Sequence, residues 1–191
     1  MDEGLQRSQI LRLWPKDQPP PSEGQIRAQS AQALVGQDHR ALAASRRGGL
    51  RLAWLAFFDD GRELDFTPVR KARRNADFVF VSVHWGAEYS AVTNRQRRLA
   101  RSLAQSGADV ILGSGPHVLQ ESARIGRTLV LYSLGNFVFD GDMPATRKGA
   151  IVLLDVRRGR VSACAVPTET HFGRVTTGEV SPRVLKLPGC A

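Results

Sequence analysis

The sequence predicts an α/β domain with a largely parallel sheet, and three observations carry that expectation. Leu50–Phe58 (LRLAWLAFF) and Phe78–Val83 (FVFVSV) are short, nearly continuous apolar runs, the pattern of strands buried on both faces. A third short run, Val110–Gly113 (VILG), follows an amphipathic helical pattern, so strand, helix and strand read as a right-handed parallel unit. A length of 191 residues suits one domain large enough to bury a sizeable core.

Taken in order, residues 1–48 hold a Pro-rich stretch at 15–24 and a Gln/Ala/Arg-rich segment, which predict a poorly ordered arm with one helix near 25–44. The α/β domain is expected over 49–167. Thr67 and Pro68 suit the N-cap and first position of a helix, with Val69, Ala72 and Ala76 as its apolar stripe. A second helix is expected over Asn94–Ser106, with Leu99, Ala100, Leu103 and Ala104 on one side and Gly107 as the residue that ends it. Val118–Arg124 and Thr128–Ser133 flank Gly126 as a hairpin, and Lys148–Val156 with Arg160–Pro167 form another. Residues 168–191 carry too little pattern to assign and are read as a tail.

Composition narrows the classes. The chain is 42% hydrophobic and 24% charged, ordinary values for a globular domain. No apolar run approaches the roughly 18 residues that cross a bilayer, so no transmembrane segment is expected. The start, MDEGLQRSQILRLW, lacks the apolar core of an export signal, so the chain as written is expected to be cytoplasmic, with Cys164 and Cys190 as free thiols. A net charge of +9 invites a polyanion reading. The basic residues are spread thinly, however, which favours a solvated basic surface over a specific nucleic-acid partner.

Ligands of open α/β sheets bind beyond the carboxyl ends of the strands. Three loops lie there: His84-Trp85-Gly86-Ala87-Glu88-Tyr89, Ser114-Gly115-Pro116-His117 and Leu134-Gly135-Asn136-Phe137. Two of the four histidines thus occupy matching places on neighbouring strands, where they can share a metal or an anion. The plainer alternative leaves each as a loop residue hydrogen-bonded to backbone. Trp85, Tyr89 and Phe137 suit packing of the loops, and Asn136 suits a left-handed turn. Asp140 and Asp142 flank Gly141 in a turn rather than a metal site.

DFVFVSVHWGAEYS, RQRRLARSLAQSGADVILGSGPHVLQ and LVLYSLGNFVFD, in this order and spacing, resemble the C-terminal half of the CapA family. These are bacterial capsule and poly-γ-glutamate synthesis proteins related to calcineurin-like metallophosphoesterases, and the likeness runs from about Leu50 to Pro167. The resemblance implies a β-sandwich flanked by helices, incomplete here at its N-terminus, with a two-metal site (Mn, Zn or Fe) acting on a phosphoester or serving exopolymer synthesis. It would make His84 and His117 metal ligands and Glu88 catalytic, with Trp85, Tyr89, Ser114 and Asn136 lining the cleft. Gly115-Pro116-His117 departs from the family's His-Pro-His, and the Asp-x-His, Gly-Asp and Gly-Asn-His segments of the superfamily do not occur in residues 1–49, where His39 is the one histidine. A truncated or degenerate site is therefore expected, with weak or absent metal binding and negligible phosphodiesterase activity. The competing expectations are a non-catalytic module for an anionic polymer and an inactive remnant, whose uncovered sheet edge would favour dimerisation.

Overall fold

The computed structural model describes residues 41–47, 49–141, 143–157, 159–177 and 182–190. Its first sheet contains β1 (Ala41–Arg47), β2 (Leu50–Phe58), β3 (Phe78–His84), β4 (Val110–Ser114), β5 (Ser122–Ile125) and β6 (Thr128–Leu131). They are arranged β1-β2-β3-β4-β6-β5. β2, β3, β4 and β6 run parallel, and β1 and β5 close the two sides as antiparallel strands. A second sheet, β7 (Lys148–Arg157), β8 (Arg160–His171) and β9 (Arg174–Thr177), is an antiparallel meander.

The apolar runs fill both faces of the first sheet. On one face α1 (Thr67–Asn75) and α2 (Asn94–Gln105) pack Val69, Ala72, Ala100 and Leu103 against Val79, Val81, Val83 and Ile111. On the other, Phe78, Phe80 and Val110 meet Val161, Leu154 and Val156 of the second sheet. The result is helices, sheet and sheet in layers, a mixed α/β fold with its parallel sheet flanked by helices, in keeping with the β-sandwich flanked by helices that the resemblance implied.

Local chemistry sets the helix ends. Thr93 and Gln96 make a reciprocal capping box at the start of α2. Gly107, at φ 106°, ends the helix as expected. Thr67, by contrast, is not the cap of α1. Phe66 holds that position and the Thr67 N–H bonds the Asp65 carboxylate at 2.8 Å. Asp109, between α2 and β4, ties the layers together: its carboxylate accepts the Val79 N–H at 2.8 Å and Arg73 at 2.6 Å.

Three expectations are corrected. Residues 41–47 are strand where the helix near 25–44 was expected to end, pairing from Ala41↔Ala56 to Arg47↔Leu50; residues 25–40 of that segment, like His39, lie outside the described ones. The last segment is structured: β8 continues to His171, and α3 (Pro182–Leu185) buries Leu185 beside Ala150 and Ala165. Cys164 and Cys190 are joined in a disulfide rather than free. The tail lies along β8, with the Ala165 N–H donating to Pro188 O at 2.9 Å and the Cys190 N–H to Ala165 O at 3.2 Å, and this brings the two sulfurs together. Among the described residues no helix is long and apolar enough to cross a membrane.

Candidate functional site

Parallel strands deliver their carboxyl ends to one rim. The register sets Phe58 beside His84 and His84 beside Ser114. The loops that follow are stitched by backbone bonds: Asp59 N–H to His84 O at 2.8 Å, Trp85 N–H to Ser114 O at 2.9 Å, and Tyr89 N–H to Pro116 O at 2.8 Å. The polypeptides after β3 and β4 therefore leave the sheet side by side.

His84 is exposed and its ring stacks on Phe58 with centroids 5.2 Å apart. Gly115 lies close to the Nε2 edge of that ring. At φ 113° it has the left-handed conformation glycine favours, and a Cβ there would stand 2.6 Å from Trp85 O and 3.2 Å from His84 Nε2. Two residues on, His117 also has a positive φ, 58°, and its ring lies against Phe139 at 5.8 Å and Tyr89 at 6.2 Å.

Asn136 is not left-handed as the turn reading expected, since Gly135 takes the positive φ, 69°; instead it orients His117. Its amide Nδ2 donates to His117 O at 3.2 Å and Thr146 O at 3.0 Å, so Oδ1, 2.9 Å from His117 Nδ1, must be the acceptor of that contact. A neutral His117 thus carries its proton on Nδ1 and keeps the lone pair on Nε2, the arrangement of an imidazole prepared for a metal or a proton.

A buried amide chain supports the first loop. Gln96 Oε1 accepts the Thr93 N–H at 2.9 Å, Gln96 Nε2 donates to Gln120 Oε1 at 2.9 Å, and Gln120 Nε2 donates to Ser90 O at 2.9 Å. The Gln96 amide also lies so close to Gly86 that a Cβ there would be 2.8 Å from it. Both glutamines are buried, and each side-chain oxygen and nitrogen of the pair has a partner: one another, Thr93 or Ser90.

Of the residues read from the sequence, the structure joins His117 to Asn136, sets His84 and Ser114 side by side at the ends of β3 and β4, and places Tyr89 in the loop after β3. Glu88 is exposed on that same loop. Trp85 is corrected. It is 1% exposed, donates its indole N–H to Tyr132 O at 2.9 Å and belongs to the core, so it does not line a cleft. Tyr89 and Phe137 stay half exposed. Asp142 lies outside the described residues, so its pairing with Asp140 in a turn is not described. Sequence reading missed Asp59, whose carboxylate at the rim is held by Arg95 at 2.6 Å and is 5% exposed, so it is spent on an ion pair. The Asp59-Asp60 doublet after an apolar strand was the available signal.

The metal implied by the motifs can be tested against this donor set. Among the described residues no three His, Cys, Asp or Glu side chains stand close enough together to hold an ion. Two imidazoles with an occupied carboxylate nearby do not fit a catalytic metal centre by themselves.

Comparison with known proteins agrees with the motifs. The family model described as bacterial capsule synthesis protein PGA_cap matches residues 15–141. The PGA biosynthesis protein CapA of Bacillus subtilis is 40% identical over 111 residues, 57% of this chain and 29% of that protein. The capsule biosynthesis protein CapA of Bacillus anthracis is 44% identical over 101 residues, 52% and 25%. The chain spans under a third of the length of either relative. Solved structures with a related backbone path include a hypothetical protein from Thermus thermophilus, TM-score 0.49 and 16% identity, covering 66% of this chain and 61% of that one. Another is a novel phosphatase from Mycoplasma pneumoniae, TM-score 0.44 and 10% identity, covering 71% and 54%. With the matched region containing the whole rim, the chain belongs to the PGA_cap family of bacterial capsule synthesis proteins.

Proposed function

We propose that the chain takes part in making an anionic exopolymer, capsule or poly-γ-glutamate, and that the rim around His84, His117 and Asn136 is where it meets the polymer or a phosphoester. The observation that carries the reading is the family match over residues 15–141, a stretch that includes every rim residue. The names of the Bacillus relatives supply the role.

Within this reading His117, oriented by Asn136, and the exposed His84 are the groups that contact a divalent ion or a substrate anion. Glu88 serves proton transfer, and Tyr89 and Ser114 line the approach. Because the described residues supply two imidazoles and no third ligand, no metal-assisted step is assigned to them. Mn²⁺ or Zn²⁺ should bind the isolated chain only weakly, with a dissociation constant of about 10⁻⁴ M or above by calorimetry.

The deciding experiment is genetic. Loss of the gene should reduce the yield of capsule or poly-γ-glutamate; the wild-type gene should restore it, and His117→Ala or Asn136→Ala should not. Unchanged polymer yield on loss of the gene overturns the role, and full rescue by both variants overturns the rim. A second reading, holding the polymer without hydrolysing it, is favoured by the arginines at the opposite end of the same strands.

A further inference from the structure

At the amino ends of the parallel strands, two hairpin turns face each other across a crevice of about 310 Å³. The β5–β6 turn contributes Arg124 and Arg127, the β7–β8 turn contributes Arg160, and Phe78, Val161 and Asp109 complete the lining. We propose that this crevice binds a carboxylate-bearing segment of an anionic polymer, a proposal that rests on the exopolymer reading above and assigns it a site distinct from the rim.

Charge is the first argument. Arg124 is oriented by carbonyls, donating to Val161 O at 2.9 Å and Arg127 O at 3.3 Å, and these bonds place the guanidinium without neutralising it. Neither Arg124 nor Arg160 is paired with a carboxylate of the described residues. Asp109 is the one acid in the lining, and its charge is taken up by Arg73 at 2.6 Å and the Val79 N–H at 2.8 Å, with Arg127 farther off at 3.5 Å. The crevice therefore keeps a positive excess beside an apolar floor of Phe78 and Val161, both buried. A low-dielectric wall strengthens attraction for an entering anion.

Geometry is the second. Guanidinium forks match carboxylates two bonds at a time, and three of them spread over two turns suit a ligand that repeats its carboxylate rather than a single small anion. The site is also far from the rim. Phe78 and His84 are the two ends of β3, about 20 Å apart at ~3.3 Å per residue, so a polymer held at one end need not compete with chemistry at the other.

The test must separate a built site from a basic surface, since the whole chain carries +9. Labelled poly-γ-glutamate oligomer is titrated, by fluorescence anisotropy at low and raised salt, against the full chain and two triple variants of equal charge change. One removes the crevice arginines, Arg124→Gln, Arg127→Gln and Arg160→Gln; the other removes arginines exposed on the helices, Arg74→Gln, Arg98→Gln and Arg101→Gln. The crevice set should weaken binding about tenfold or more and flatten its salt dependence, while the helix set changes it less than about twofold. Thermal unfolding checks each variant, and Arg160→Glu, at an exposed turn with no carboxylate partner among the described residues, decides the matter should the triple variant fail to fold. Equal weakening by both sets, no weakening by Arg160→Glu, or no binding by the wild type overturns the proposal. Wild-type binding that ignores the crevice set removes the crevice and leaves the exopolymer reading standing; only unchanged polymer yield after gene loss removes the latter.

Discussion

The two ends of the parallel strands are built from different forces. At the carboxyl ends, neutral amides, aromatic faces and two left-handed residues, Tyr89 and His117, fix the loops, and the ion pair Asp59–Arg95 lies beside them. At the amino ends the connections are ionic: Asp109 with Arg73 and Arg127, and Asp77 with Arg51. Directional neutral bonds set the orientation of an imidazole within narrow limits. Charge closes the opposite end with fewer geometric demands and leaves a surplus of guanidinium there.

The contrast can be broken experimentally. The largest effect is expected from Asp109→Ala, which strips a buried partner from Arg73 and the Val79 N–H and should cost about 3–5 kcal/mol in urea unfolding. Asp109→Asn should cost less, and a loss below about 1 kcal/mol for the alanine variant would show that charge does not hold that end. Next comes Gly113→Ala, whose Cβ would lie 2.0 Å from Tyr132 O and 2.4 Å from Trp85 Nε1; the backbone must shift, at about 2–3 kcal/mol. Gln96→Ala removes both the capping box and the amide chain to Gln120. It should cost about 1–2 kcal/mol and speed hydrogen exchange in residues 86–93.

Smaller still is Asn136→Ala, expected to cost about 1 kcal/mol. Its sharper signature is the nitrogen NMR spectrum of His117, which should lose the preference for a proton on Nδ1. The smallest effect concerns Glu121. Hydrogen bonds from Lys186, then Arg97, hold its carboxyl below the ordinary 4.5. A folded value below the unfolded one means that the stabilisation is fully present above pH 4.5 and is lost as pH falls through the lower, folded value. Lys186→Ala should therefore destabilise by under about 1 kcal/mol at pH 7, and the difference from wild type should shrink on acidification.

Much of this was legible in the sequence, for identifiable reasons. β2, β3 and β4 announce themselves because both faces of the sheet are covered, which leaves no polar alternation to blur the runs. Gly107 and Gly126 mark a helix end and a turn where their backbone freedom is used. β1 was not legible: ALAASRR is composed largely of good helix formers, and its extended form follows from pairing with β2. Trp85 follows His84 by one residue, and alternation sends the two side chains to opposite sides, one exposed and one into the core. The bond between His117 and Asn136 spans 19 positions and needs a positive φ at a histidine, neither of which any local pattern encodes.

The Cys164–Cys190 bond makes the last stretch of the protein answerable to its surroundings. It closes a loop across 26 residues, a constraint of about 3 kcal/mol on the unfolded chain. Oxidising media such as the cell exterior preserve that clasp, and a glutathione-rich interior opens it. Once opened, the tail is held by the packing of Leu185, the bond from Ser122 to its carbonyl, the Lys186–Glu121 pair and the two backbone bonds to Ala165, none of them covalent. A preparation made in reducing cytosol should accordingly be nicked by proteases beyond residue 177 sooner than one matured outside.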